Sequence, residues 1–184
     1  MPSQDSLLRL IEQNSKHIQA TLLRLSGAEW IHEAPRLIQS PSPNDLEAGA
    51  GEGCGFWFSG PVAAWVFFPR ESGQALAKAF MFKHVEGGDD FLDRRSEIME
   101  RLGRDTLAET ANILAHSLAD PLAEALGVKL TLSAPSACEG LEAQVLETLG
   151  KELGASGGYQ TAVLIPLSCA ALAARCWLAV FLRR

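Results

Sequence analysis

Glu109 and Asn112 are the residues of this chain best suited to chemistry. They stand three positions apart, with Asp105 before them and Pro135 after, in the pattern Asp-x3-Glu-x2-Asn-x22-Pro. On a helix, residues three apart share a face. A carboxylate and an amide side by side there can grip a partner and position a water, because an amide accepts from a water while donating to a substrate oxygen. Asparagine is also a mediocre helix former, so its place inside a helix needs a reason. Each residue has a purely structural explanation as well. Glu109 and Asn112 can be a solvated polar pair, Asp105 a helix N-cap, and Pro135 the end or edge of a strand. The sequence offers no clustered metal ligands, phosphate-cradling glycine loop or nucleophile elbow in competition with them.

Composition narrows the classes open to the chain. A net charge of −6 argues against nucleic acid, whose phosphates need a basic stripe that no lysine–arginine cluster supplies. With 184 residues, 47% hydrophobic and 21% charged, residues 1–184 read as one soluble domain able to bury a core. Cys54, Cys138, Cys169 and Cys176 form no Cys-x2-Cys pair and have no histidine at ligand spacing, so they read as free thiols of a cytoplasmic protein. Asp5, Glu12 and Lys16 within an amphipathic start are unlike a secretion signal. Ala162 to Leu182 is almost continuously apolar, but Pro166 interrupts it and Arg175 would place a charge in lipid. A buried strand ending at Pro166 and a helix from Ser168 explain the segment better than a membrane span.

The elements that must position the pair follow from periodicity. Leu7, Leu8, Ile11, Ile18, Leu22 and Leu25 predict a helix over 4–26, stopped by Gly27. A short strand around 28–34 reaches Pro35, and 40–54 reads as a polar surface loop. Phe56 to Phe68, broken at Gly60-Pro61, predicts two antiparallel strands, with a helix over 74–82 beyond Pro69. A connection at 87–90 leads to a helix over 91–102 that stops near Gly103. A second helix starts at Asp105 and runs toward Gly127, kinked or restarted at Asp120-Pro121. Then come a strand reaching Pro135, a helix over 140–153, a loop over 154–158 and a strand over 159–165.

Sliding the sequence by 100 positions aligns Asp5, Leu7, Leu22, Gly27, Ala34 and Pro35 with Asp105, Leu107, Leu122, Gly127, Ala134 and Pro135. Further on, strand-Pro69-helix with Ala75-Leu76-Ala77 resembles strand-Pro166-helix with Ala171-Leu172-Ala173. The shared order implies duplication, with one copy over about 1–86 and the other over about 100–184. The fold class is therefore α+β: a pseudo-twofold tandem repeat of helix-plus-strand units forming one largely antiparallel sheet covered by helices.

Taken together, Asp105, Glu109, Asn112 and Pro135 resemble the pattern of the CheC/CheX family of chemotaxis phosphatases, which is Asp or Ser, x3, Glu, x2, Asn, x22, Pro. Ala108-Glu109-Thr110-Ala111-Asn112-Ile113-Leu114 is similar to that family's helix, and so are the tandem repeat and the strand end Val66-Phe67-Phe68-Pro69. The resemblance implies hydrolysis of the aspartyl phosphate on a phosphorylated CheY-type receiver. The partner holds the Mg2+, and this chain carries no cofactor. By the same resemblance Asn112 orients the attacking water and Glu109 engages a lysine of the partner. An acyl phosphate is already reactive, so positioning supplies much of the acceleration.

The first copy departs from the pattern. Arg9 and Glu12 stand where the family has glutamate and asparagine, although Pro35 keeps its distance from Glu12. Arginine reverses the charge meant for a lysine, and glutamate lacks amide donors. One intact site makes the chain resemble CheX more than a two-site CheC, and this resemblance implies a homodimer. Likeness to CheC also allows a CheD-type partner. The competing reading is a non-catalytic CheY-binding module of the flagellar-switch type. His17, His32, His84 and His116 read as surface or boundary residues, with His116 able to line the same face as Asn112.

Overall fold

The computed structural model describes residues 4–84, 96–129, 131–155 and 158–183. In chain order its elements are α1 (Gln4–Ser26), β1 (Ile31–His32), β2 (Arg36–Gln39), a 3-10 turn (Pro43–Leu46), β3 (Glu52–Phe58), β4 (Val62–Pro69) and α2 (Arg70–His84). They continue with α3 (Ser96–Leu126), β5 (Ser136–Leu141), α4 (Glu142–Ala155), β6 (Thr161–Cys169) and β7 (Ala174–Leu182). The strands form one open, seven-stranded antiparallel sheet in the order β1-β6-β7-β4-β3-β5, with β2 also on β6. This is the α+β architecture expected.

The pseudo-twofold lies between β4 and β7. Outward from that central pair come β3 on one side and β6 on the other, then β5 and β2. Each outer strand therefore pairs with the hairpin of the opposite half. Pro35 immediately precedes β2 and Pro135 immediately precedes β5, preserving the offset of 100 at the start of both strands. The halves then diverge, since the second has the 14-residue α4 where the first has the four-residue 3-10 turn.

Both faces of the sheet are covered. Successive strand residues point to opposite faces. Phe56, Phe58, Val66, Phe68, Ile165 and Val180 share one cluster with Ile11, Ile18 and Leu22 of α1, Leu76 of α2 and Leu114, Leu118 and Leu122 of α3. Trp57, Trp65, Phe67, Leu164 and Phe181 form the other with Leu46 and with Val145, Leu146 and Leu149 of α4. A strand buried on both sides has no polar alternation, which is why the 162–182 segment is so uniformly apolar.

That segment is the largest correction. It forms the β6–β7 hairpin, with no final helix and no strand end at Pro166. Its turn is Ala170-Ala171-Leu172-Ala173, with Ala173 at φ 49° and its N–H donating to the Ala170 carbonyl at 3.1 Å. Alanine is the best helix former and a rare occupant of positive φ, so the turn carries no sequence signal. Pro166 sits inside β6. Its carbonyl accepts from Glu33 N–H at 3.0 Å. The N–H and C=O of one strand residue face the same neighbour, so the absent donor faces the 33–35 link between β1 and β2 and costs nothing toward β7. The proposed correspondence between the Pro69 and Pro166 strand ends therefore fails. The two hairpins, β3–β4 and β6–β7, are the true counterparts.

Helix α3 holds the second correction. It runs unbroken through Gly103 and Pro121, so no helix ends near Gly103 and Asp105 is not an N-cap. A Cβ at Gly103 would lie 3.6 Å from Ala77 Cβ, and one at Gly73 would lie 3.0 Å from Leu107, so both glycines lie where α2 packs on α3. The expected glycine stops at the other ends are present. Gly27, at φ 73°, donates to the Leu23 carbonyl at 2.8 Å. Gly127, at φ 66°, donates to Glu124, and Val128 donates to Ala123, both at 3.0 Å. The latter pair of bonds is a Schellman arrangement.

Three further differences are local. Residues 131–135 are not a strand, and β5 begins after Pro135 rather than ending at it. Their place against the β3–β4 turn is fixed by Ser133, whose N–H donates to Ser59 O at 2.9 Å and whose Oγ accepts from Ser59 N–H at 3.0 Å. The 40–54 segment is pinned. Leu46 is buried, and the buried Glu142 carboxylate accepts from the N–H groups of Ala48 and, at 2.7 Å, Ala50. The expected connection at 87–90 and the first residues of the 91–102 helix lie outside the described residues.

Candidate functional site

Helix α3 divides cleanly into two sides. Ala111, Leu114, Ala115, Leu118, Ala119 and Leu122 are buried against α1, α2 and the sheet. At about 100° per residue, Asp105, Glu109, Asn112, His116 and Asp120 fall on the opposite side as one stripe along five successive turns. Asp105, Glu109 and Asp120 are exposed, and Asn112 and His116 are half-buried. The burial of the inner face sets the orientation of the outer one: rotating the helix would bring the stripe's charges into the core.

Glu109 and Asn112 thus point outward from a helix whose other face is locked. Among the described residues neither has a hydrogen-bond or ion-pair partner. Their functional groups are available to an incoming molecule. They stand on the outward face of α3. The depression around Arg36, Asn44 and Asp45, and the one against Trp57 and Trp65, are both elsewhere. Chemistry on an outward helix face calls for a partner that supplies the cleft.

Asp105 belongs to the stripe, one turn before Glu109. Pro135 does not. It introduces β5 at the sheet edge, and its link to the stripe runs through residues that sequence reasoning did not single out. Arg104 Nε lies 2.7 Å from Glu139 Oε1 and Nη2 lies 3.0 Å from Oε2, a forked pair joining α3 to β5. Only the register of β5 on β3 brings Glu139 there, so the sequence carried no signal for it. His116 Nδ1 lies 3.0 Å from Asp120 Oδ1, an i,i+4 pair that the helix period could have revealed.

The first copy carries no equivalent pair. Arg9 and Glu12 are exposed on α1, above buried Ile11, Ile18 and Leu22. His17 is exposed and His32 half-buried. The four cysteines are unpaired. Burial pushes the Cys54 thiol up to about 12, helped by the nearby Glu139 carboxylate, and burial alone raises Cys176. Both stay protonated at neutral pH and make poor nucleophiles. Among the described residues no three His, Cys, Asp or Glu side chains gather as a metal site. No described helix is long and apolar enough to cross a membrane.

No family model matches this sequence, and no curated protein does. Solved structures match over nearly the whole chain. The CheX–CheY–BeF3–Mg2+ complex from Borrelia burgdorferi aligns with a TM-score of 0.57 at 20% identity, over 94% of this chain and 97% of that one. FliY from Thermotoga maritima aligns with a TM-score of 0.61 at 14% identity, over 97% and 91%. The chemotaxis protein CheX from Vibrio vulnificus aligns with a TM-score of 0.56 at 11% identity, over 94% and 98%. At these identities the likeness is one of architecture, and it covers the sheet, the helices and their order together. The chain has the CheC/CheX-like fold.

Proposed function

We propose that this protein is a phosphatase for the aspartyl phosphate of a CheY-type receiver domain. The observation that carries the reading is the outer face of α3, where Glu109 and Asn112 stand untied on a helix held rigid by its buried side. Such a face enters a partner's cleft. Asn112 then holds the attacking water, while the Glu109 carboxylate anchors a cationic group of the receiver. The receiver contributes the Mg2+ and the phosphoryl group, so this chain needs neither metal nor nucleophile. Water attacks an acyl phosphate whose carboxylate leaves readily, and orientation is the contribution the enzyme makes. A CheX bound to CheY in a neighbour of the same fold supports a partner of this kind.

The second reading, a CheY-binding module without turnover, is favoured by one observation: α1 keeps its buried face although Arg9 and Glu12 replace the pair. Phosphate release separates the two. The CheY-type receivers of the source organism are phosphorylated with acetyl phosphate and Mg2+, and their decay is followed with and without the protein. Asn112→Ala is expected to lower turnover at least about a hundredfold without unfolding the chain. Glu109→Ala weakens both complex formation and turnover, and Arg9→Ala and Glu12→Ala leave both unchanged. Demonstrable binding with unaltered receiver decay establishes the module instead. Equal losses from the α1 and α3 substitutions sink the single-site assignment.

A further inference from the structure

We propose that His116 is a third working group of the α3 stripe, its Nε2 accepting a hydrogen bond from the same water that Asn112 orients. The inference rests on the phosphatase reading above. His116 lies four residues beyond Asn112 on the outward face, so their Cβ atoms are about 5–6 Å apart. His116 Nδ1 is 3.0 Å from Asp120 Oδ1. An ionised carboxylate can only accept, so this contact places a proton on Nδ1, and in the neutral imidazole the lone pair is then on Nε2. The outward nitrogen of this half-buried ring is thereby an acceptor of fixed orientation.

A water donating to two acceptors at about 2.8 Å each holds them roughly 4.5 Å apart. Side chains whose Cβ atoms are about 5–6 Å apart can bring two acceptors to that separation. Asn112 Oδ1 takes one O–H, His116 Nε2 takes the other, and the oxygen lone pair is left facing phosphorus. The new P–O bond then forms as the bond to the partner's aspartyl oxygen breaks with its electron pair. Water keeps one proton as the new P–OH and passes the other to a phosphoryl oxygen. The products are a free carboxylate and dihydrogen phosphate. In so loose a transition state His116 acts by orientation, and a neutral acceptor can replace it.

The test is phosphate release from the acetyl-phosphate-charged receivers, with kcat and KM resolved separately. His116→Ala is expected to lower kcat about tenfold, the worth of one net hydrogen bond, with KM within about twofold. His116→Gln, whose Oε1 is also an acceptor, keeps at least about half of kcat, and Asp120→Ala falls between the two. An unchanged kcat in His116→Ala overturns the proposal, as does a loss confined to KM. Gln as inactive as Ala overturns it too. If the wild-type protein accelerates no receiver, the phosphatase reading falls first. If it is active, Asn112→Ala is dead and His116→Ala runs at full rate, then this inference falls alone.

Discussion

Gly103→Ala separates the continuous α3 from the two-helix arrangement that its sequence implies. In the structure Gly103 is an interior residue of Ser96–Leu126 and is absent from the positive-φ positions. Replacing an interior helical glycine with alanine removes unfolded-state freedom and is worth about 0.5–1 kcal/mol. The added methyl would meet Ala77 Cβ at 3.6 Å, ordinary van der Waals contact with no backbone in the way. The expected result is a gain of about 0.5–1 kcal/mol in urea unfolding with an unaltered m-value. That gain corresponds to a rise in Tm of a few degrees for a chain of this size. Gly127→Ala provides the opposite sign. A Cβ there meets nothing within 4 Å, but φ is +66°, so alanine costs about 1 kcal/mol through backbone strain alone. A loss of 1 kcal/mol or more in Gly103→Ala would refute the reasoning, because it would mean that residue 103 occupies a glycine-only conformation and that α3 is broken there.

Two further perturbations probe the parts that hold the site's surroundings. Glu142→Ala removes the buried carboxylate on which the Ala48 and Ala50 N–H groups converge, leaving two donors without partners, and should cost about 2–4 kcal/mol. Amide exchange should rise at both alanines, and unchanged exchange would mean that other contacts hold the segment. Cys54, whose thiol is pushed up to about 12 chiefly by burial, should resist iodoacetamide at pH 8. Its folded-state value lies above the unfolded one, so the native state is favoured below about pH 9 and that preference is lost as pH rises toward 12. Mass spectrometry of the labelled protein checks this, and rapid labelling of Cys54 in the folded chain would contradict the burial.

How much of the fold was legible depended on whether each turn used a residue that turns require. Gly27 and Gly127 marked their helix ends because positive φ selects glycine. Gly60-Pro61 marked the β3–β4 hairpin for another reason, since a Cβ at Gly60 would collide with the Thr131 carbonyl oxygen. The equivalent β6–β7 turn is built from three alanines and Leu172, with Ala173 itself in the left-handed region, and local propensity there points to helix. Only the pairing of β7 with both β4 and β6 overrides it. Gly103 and Asp105 misled for the converse reason. A glycine and then an aspartate look like a stop and a cap, yet Gly103 serves the packing of α2 on α3 and Asp105 lies in mid-helix.

The candidate site was more legible than the fold around it, because its geometry is that of one helix. Spacing alone put Glu109 and Asn112 on a common face that His116 could line, and it would have added Asp120 as the partner of His116; Asp105, read as a cap, joins that face only because α3 is continuous. What spacing could not supply was the fork from Arg104 to Glu139, 35 residues away, which exists only once β5 has taken its register on β3. The comparison of α1 with α3 explains why a motif can fade while its fold endures. The core is maintained by Ile11, Ile18 and Leu22 on one helix and by Leu114, Leu118 and Leu122 on the other. The stripes bearing Arg9 and Glu12, or Glu109 and Asn112, lie on the faces that the core does not use. Stability therefore places no constraint on retaining the acid and the amide on α3, and under the proposed function it is the receiver's cleft that requires the pair.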